Sequence, residues 1–295
     1  MAEMRDKGSA VPKGIKPVAA GLAVVFLLAA WHFLDVKDGS FETGRTWLRG
    51  WYGLAVCWGL VSLGVLGFFT LIRKKDWRPE AFFAVSSLLL GLLFMVVLPP
   101  LSAPDEVSHY ISSYQLSNRL LGKAADPEGR VYIRLQDAWA EDMTDVLADD
   151  GSSESSEGEA VIFGQTVEQD TYEVLKSRGL GGAEAESQEM VPSYQPPVRT
   201  TPLAYVPQAL GISLGRLMGL GTLGLMFLGR IFNLLFYCGA GFLAVRRIPF
   251  GKEVLCGVGL LPMSLHLASS MSYDVMILAL TGYFLAVCLD LAYRA

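Results

Sequence analysis

Apolar residues are gathered into six long runs along this chain, at 17–34, 51–72, 81–98, 223–245, 254–268 and 275–291. A helix crossing about 30 Å of hydrocarbon needs about 20 such residues, so each run is a candidate membrane span. The fifth is short and carries Pro262. As a span it requires His266, Ser269 and Ser270 to continue the helix into a polar cavity. A seventh apolar stretch, 203–220, is interrupted by Pro207, Gln208 and Arg216. It reads as an interfacial or re-entrant helix. Between the third run and this stretch lies one long polar segment. It opens with helical spacing over 105–121, passes through a low-complexity acidic tract at 148–160, and ends extended across Pro196-Pro197. The 148–160 tract has too few apolar groups to bury a core and is expected to be dispensable for folding.

The pattern predicts an all-α polytopic membrane protein of about six transmembrane helices with one large extracytoplasmic loop. Its parts are an N-terminal tail and two-span extension (1–80), a third span (81–101), the acidic loop (102–201), the interfacial helix (202–221) and a three-span bundle (222–295). Composition agrees: 52% of the 295 residues are hydrophobic, and the mean hydropathy is +0.39, above the range of soluble domains.

The formal charge of -5 conceals a separation of signs. Residues 102–201 carry 19 Asp and Glu against 7 Lys and Arg, and the remainder carries 17 Lys and Arg against 10 Asp and Glu. Basic residues sit in the N-terminal tail, at Arg73-Lys74-Lys75 and Arg78, and at Arg246-Arg247 with Lys252. The positive-inside rule makes these segments cytoplasmic, with the N-terminus inside and the acidic loop outside, as in an inner-membrane-type protein. The first run lacks a small-residue cleavage site and reads as an uncleaved span. No basic face suited to nucleic acid is present. Cys57, Cys238, Cys256 and Cys288 all fall in apolar runs with no metal-ligand spacing and read as space-fillers.

Chemistry concentrates at three places. Asp105-Glu106-Val107-Ser108-His109 follows the third span. On a helix, Asp105 and His109 are i,i+4 and Glu106 and His109 are i,i+3, so the three meet on one patch. Such a set can accept a proton from a hydroxyl or hold a divalent cation such as Mg or Mn through Asp105 and Glu106. Ser269-Ser270-Met271-Ser272-Tyr273-Asp274 returns to the same face by topology, and Asp274 is placed either to cap the last span or to join the Asp105 patch. Arg230, with Asn233, lies about 12 Å inside the fourth run and needs protein, water or a lipid phosphate as partner.

These stretches, with Tyr205-x-Pro207-Gln208-Ala209-Leu210-Gly211, Gly229-Arg230-x-x-Asn233, Leu261-Pro262-Met263 and Ser270-x-Ser272-Tyr273-Asp274, resemble a bacterial membrane family, the domain-of-unknown-function 2142 family. That family looks like a relative of the GT-C glycosyltransferases. The resemblance implies transfer of a sugar from a polyprenyl-phosphate donor to an acceptor outside the cytoplasm. It makes Asp105 the base or metal ligand, and implies catalytic support from Glu106, His109 and Asp274. Arg230, Asn233, Tyr205 and Tyr273 are then expected on the substrate. GT-C enzymes have more spans, so the chain also looks like an N-terminal half that meets a second half or partner subunit. The alternatives are a non-catalytic subunit binding lipid-linked sugar and a transporter or flippase component.

Overall fold

A computed structural model describes residues 15–42, 44, 46–72, 78–103, 105–123, 126, 129–141 and 189–294. The 148–160 tract, the Arg73-Lys74-Lys75 cluster, Pro104 and the basic tail before Ile15 lie outside the described residues. The chain divides into two units, Met1–Arg78 and Pro79–Ala295.

The first unit is a helical hairpin of α1 (Ile15–Glu42) and α2 (Trp47–Ile72). The two run antiparallel, as three contacts at successive levels show. Arg49 Nε donates to Ser40 Oγ at 2.6 Å near the turn, Tyr52 donates to the Ala29 carbonyl at 2.9 Å, and Gly67 lies directly against Val18. Outward-facing leucines and phenylalanines, such as Leu27 and Phe68, are left exposed, as they are on a hairpin whose solvent is lipid.

The second unit contains α3 (Pro79–Val97), α4 (Glu106–Leu120), strands β1 (Tyr132–Arg134) and β2 (Met190–Pro192), α5 (Val206–Leu217), α6 (Thr222–Arg247), α7 (Lys252–Gly259), α8 (Pro262–Ala268) and α9 (Asp274–Arg294). Among the described residues five helices are long and apolar enough to cross a membrane: α1, α2, α3, α6 and α9. The fifth apolar run, expected as a span, is instead broken in two. Lys252 donates to the Arg246 carbonyl at one end of α6, and the Ser269 carbonyl meets Arg230 about 25 Å along that helix. Thus α7 and α8 together run back beside α6, antiparallel to it. The alignment of α3 agrees, with its start at Cys256 and its Gly91 carbonyl receiving Ser269 Oγ at 2.9 Å. At the far end Arg247 pairs with Asp290 of α9 at 3.0 Å.

The break has local causes. Pro262 has no N–H to continue α7 and instead starts α8. The carbonyls released at the end of α7 are collected by side chains: Tyr237 donates to Gly259 at 2.6 Å and Ser264 to Val258 at 3.1 Å. The expectation that His266, Ser269 and Ser270 prolong one helix is corrected. The helix ends at Ala268, and Ser269–Ser272 form a tight turn into α9.

The α5 helix has 12 residues, about 18 Å, too short to cross the hydrocarbon. It packs antiparallel on the first half of α6. Gly211 permits this approach, because a Cβ there would strike the Leu228 carbonyl. One core, with Tyr110, Tyr114, Ile133, Trp139, Ile212 and Met226, joins α4, the loop and this α5–α6 pair. A second, with Phe83, Leu234, Tyr237 and Ala279, fills the bundle below it.

The all-α architecture holds, with one small strand pair in the loop. The loop is pinned by an antiparallel ribbon pairing Ile133 with Val191 and Arg134 with Met190. Next to it Arg134 grips Asp137 through two hydrogen bonds of 2.7 and 3.0 Å. Asp137 also accepts from Tyr114 at 3.0 Å and Thr222 at 2.6 Å. This buried pair fastens the loop to the first turn of α6.

The traverse made by α7 and α8 predicts that Lys252 and Asp274 lie on opposite sides of the bilayer. Single cysteines at 252 and 274, in a cysteine-free background, should label with an impermeant maleimide from opposite faces. Labelling of both from one face would mean that the broken pair re-enters without crossing.

Candidate functional site

The site forms where α4, α5, α6 and the Ser269–Ser272 turn meet, and its adjacent carboxylates have opposite fates. Glu106 is 2% exposed. Its Oε1 accepts from the Met271 N–H at 2.9 Å and lies 3.5 Å from Arg230 Nε, and its Oε2 accepts from the Ala103 N–H at 3.3 Å. Asp105 is exposed, with a left-handed backbone (φ 52), and precedes α4 without capping it through its side chain.

Arg230 is 0% exposed. Its Nε donates to the Ser269 carbonyl and faces Glu106. The guanidinium is thereby enclosed by protein groups in this conformation. Asn233 is equally buried, and its Nδ2 donates to the Ser270 and Ser272 carbonyls at 2.9 and 3.1 Å. Gln208 of α5 donates to the Met271 and Ser272 carbonyls at 3.3 and 3.0 Å. Three side chains from two helices thus hold four consecutive carbonyls, while Glu106 holds the intervening N–H.

This clamp presents what stands beside it. His109 Nδ1 shares a hydrogen bond of 2.8 Å with Tyr205 Oη. The Tyr273 ring meets the His109 ring edge-on at 5.3 Å and the Tyr205 ring at 5.7 Å. Asp274 is exposed, at the first position of α9. The turn at its own N–H is closed by Ser272 Oγ at 3.1 Å. Neither the Asp105 nor the Asp274 carboxylate has a hydrogen bond or ion pair among the described residues.

Burial pulls the His109 imidazole below its ordinary value, although Glu106, Asp274 and Asp105 all act to raise it. Burial pushes the Tyr205 hydroxyl up, so it stays protonated at neutral pH. The site is a neutral imidazole–phenol pair and a second phenol, with two solvent-facing carboxylates acting on the imidazole.

Asp105, His109, Tyr205, Tyr273 and Asp274 are brought together. Glu106, Arg230 and Asn233 lie behind them and set their positions. Among the described residues no group of three or more His, Cys, Asp or Glu is arranged to hold a metal, and both Glu106 oxygens already accept from main-chain N–H groups. Sequence reasoning did not assign Gln208 a place in the clamp, although it falls in one of the motifs. Nor did it find Arg134 and Asp137, whose three-residue spacing on a loop gives no signal by itself.

The second unit is thus a helical membrane domain whose separated polar motifs converge on one main-chain turn. Residues 88–294 match the family described as "Predicted membrane protein (DUF2142)", and the chain belongs to that family. No curated protein and no solved structure matches it.

Two outcomes follow. Removing one member of a buried ion pair strands the other, at about 3–5 kcal/mol. Arg230→Ala should therefore abolish or severely reduce folded protein in detergent, measured by fluorescence-detected gel filtration. The paired Glu106→Gln, Arg230→Met change should recover most of it. The second concerns pH. A histidine whose folded value is depressed binds fewer protons in the folded state, so its contribution is present above its ordinary value near 6.5 and is lost as pH falls through the folded value. Thermal stability should drop on acidification from pH 7.5 to pH 5, each an approximate bound of the titration window. His109→Gln should flatten that dependence, and an unchanged slope would assign it to other groups.

Proposed function

We propose that this chain is a membrane enzyme transferring a sugar from a polyprenyl-phosphate-linked donor to an acceptor hydroxyl at the loop-bearing side, taken as the extracytoplasmic face of a bacterial inner membrane. One observation carries the reading. Two carboxylates without structural partners, Asp105 and Asp274, flank the buried His109–Tyr205 pair at the start of two helices, where a membrane enzyme could admit a polar acceptor. The resemblance to GT-C enzymes supplies the reaction class.

In this reading the acceptor oxygen attacks the anomeric carbon as the bond from that carbon to the phosphate oxygen breaks. The electron pair leaves with the phosphate, and the acceptor proton passes to Asp105. Asp105 is the base, because its carboxylate is solvent-facing and adjoins His109 on the same turn. His109 and Tyr205, locked by their mutual hydrogen bond, orient the acceptor, and Asp274 stabilises positive charge developing on the sugar ring. Tyr273 offers an aromatic edge and face to the sugar. Glu106, Asn233 and Arg230 position these groups without touching substrate. No step is routed through a metal.

A second reading, as a transporter or flippase component, draws on the broken pair α7–α8, since interrupted helices mark midplane binding sites in transporters. A non-catalytic subunit is distinguished by the same test. Asp105→Asn should lower transfer from a polyprenyl-phosphate sugar by about 10²-fold or more while lipid binding persists. Unchanged transfer would remove Asp105 as the base. Movement of unmodified substrate across proteoliposomes would favour transport.

A further inference from the structure

Away from this site, a second feature lies at the opposite end of α5. A cavity of about 350 Å³ is lined by Leu121, Lys123, Arg134, Met190, Arg216 and Leu217. Three of the six are cations. Arg134 is neutralised by Asp137. Arg216 is held by neutral groups: its Nη1 donates to Ser117 Oγ at 3.0 Å and Asn118 Oδ1 at 2.8 Å, and its guanidinium lies 4.5 Å over the Tyr114 ring. Among the described residues no carboxylate pairs with Arg216 or with the exposed Lys123. These contacts fix the guanidinium in place, with its charge left for a ligand.

The surroundings identify the ligand's other end. Leu210, Leu214 and Leu217 recur at i, i+4 and i+7 on α5 and are all exposed, Leu217 by 74%, with Met218 beside them at 61%. They run inward from the cavity, since α5 lies antiparallel on the first half of α6, a helix apolar enough to span a membrane. Cations stand at the outer end and leucines continue toward the level of Arg230. That is the polarity of one lipid molecule, with its headgroup outward and its chain along the helix.

We infer that Arg216 and Lys123 form a binding site for the phosphate of an anionic membrane lipid, whose hydrocarbon chain lies along Leu217, Leu214 and Leu210. The phosphate takes charge-assisted hydrogen bonds from both cations, and Arg134 lines the wall behind them. The site goes beyond the transfer reading and stands whether or not the chain transfers sugar.

The test uses the full chain purified in detergent, titrated with mixed micelles containing phosphatidic acid or phosphatidylcholine and read by native mass spectrometry. Phosphatidic acid should be retained in preference to phosphatidylcholine. Arg216→Gln with Lys123→Gln should weaken its retention by roughly tenfold or more. Lys123→Gln alone, at an exposed position that packs against nothing essential to folding, should weaken it by a few fold. Equal retention of the two lipids, or unchanged retention in both variants, would overturn the site. Inorganic phosphate should compete poorly, and Leu214→Asn with Leu217→Asn should reduce retention. If inorganic phosphate displaces the lipid at equal concentration, and the leucine changes have no effect, the site is one for free phosphate and the lipid assignment fails.

Discussion

The contact between Glu106 and Arg230 lies at the junction of every element that matters in the larger unit. An arginine placed about 12 Å inside an apolar helix must find an opposite charge and a set of acceptors. Glu106 provides the charge, and the Ser269–Ser272 turn provides the carbonyls. Satisfying the guanidinium therefore draws the start of α4 down into the bundle and brings the α8–α9 turn up to meet it. Once those two meet, Asp105 is one residue beyond the pair on one element and Asp274 two residues beyond the turn on the other. The exposed groups acquire their positions from buried ones.

The packing follows the same plan. Helix α6 supplies Leu223, Leu225 and Met226 to the loop-side core and Leu234, Tyr237 and Cys238 to the bundle core, and Arg230 and Asn233 lie between the two sets. Polar residues at the boundary between two apolar cores suffer desolvation on both sides, so each must be matched. The Arg134–Asp137 pair does similar work at the outer end of the helix, joined to Thr222 and Tyr114. Two buried charge pairs thus fix α6 near its start and partway along, and the loop is fastened at both heights.

Much of this could be read in the sequence. The long spans were legible because a run such as that of α6 or α9 declares its solvent without reference to any partner. The helix after Asp105 was legible from its spacing, and the convergence of Asp105, His109 and Asp274 from topology. What was hidden depended on partners. Asp105 and Glu106 are neighbours of the same chemistry, yet the left-handed backbone at Asp105, one residue before α4 begins, leaves one in solvent and the other facing Arg230. The acceptor of the Arg230 hydrogen bond was a carbonyl, which no residue type advertises. The β1–β2 ribbon pairs residues more than fifty positions apart, and three-residue strands carry no period to detect. Pro262 was visible, but whether it bent a helix or divided it was decided by Tyr237 and Ser264 donating to the loose carbonyls.

The hold on the Ser269–Ser272 turn is directed at main-chain oxygens, which every amino acid carries. Gln208, Arg230 and Asn233 recognise where the chain is and are indifferent to which side chains it bears. The turn's own side chains are engaged elsewhere, Ser269 Oγ on the Gly91 carbonyl and Ser272 Oγ at the Asp274 N–H, whereas the residues that do the gripping are confined to side chains with outward-pointing N–H groups of the right reach. A change in a holder therefore breaks the grip itself, whereas a change in the held segment acts through the separate contacts its buried side chains make with the rest of the bundle.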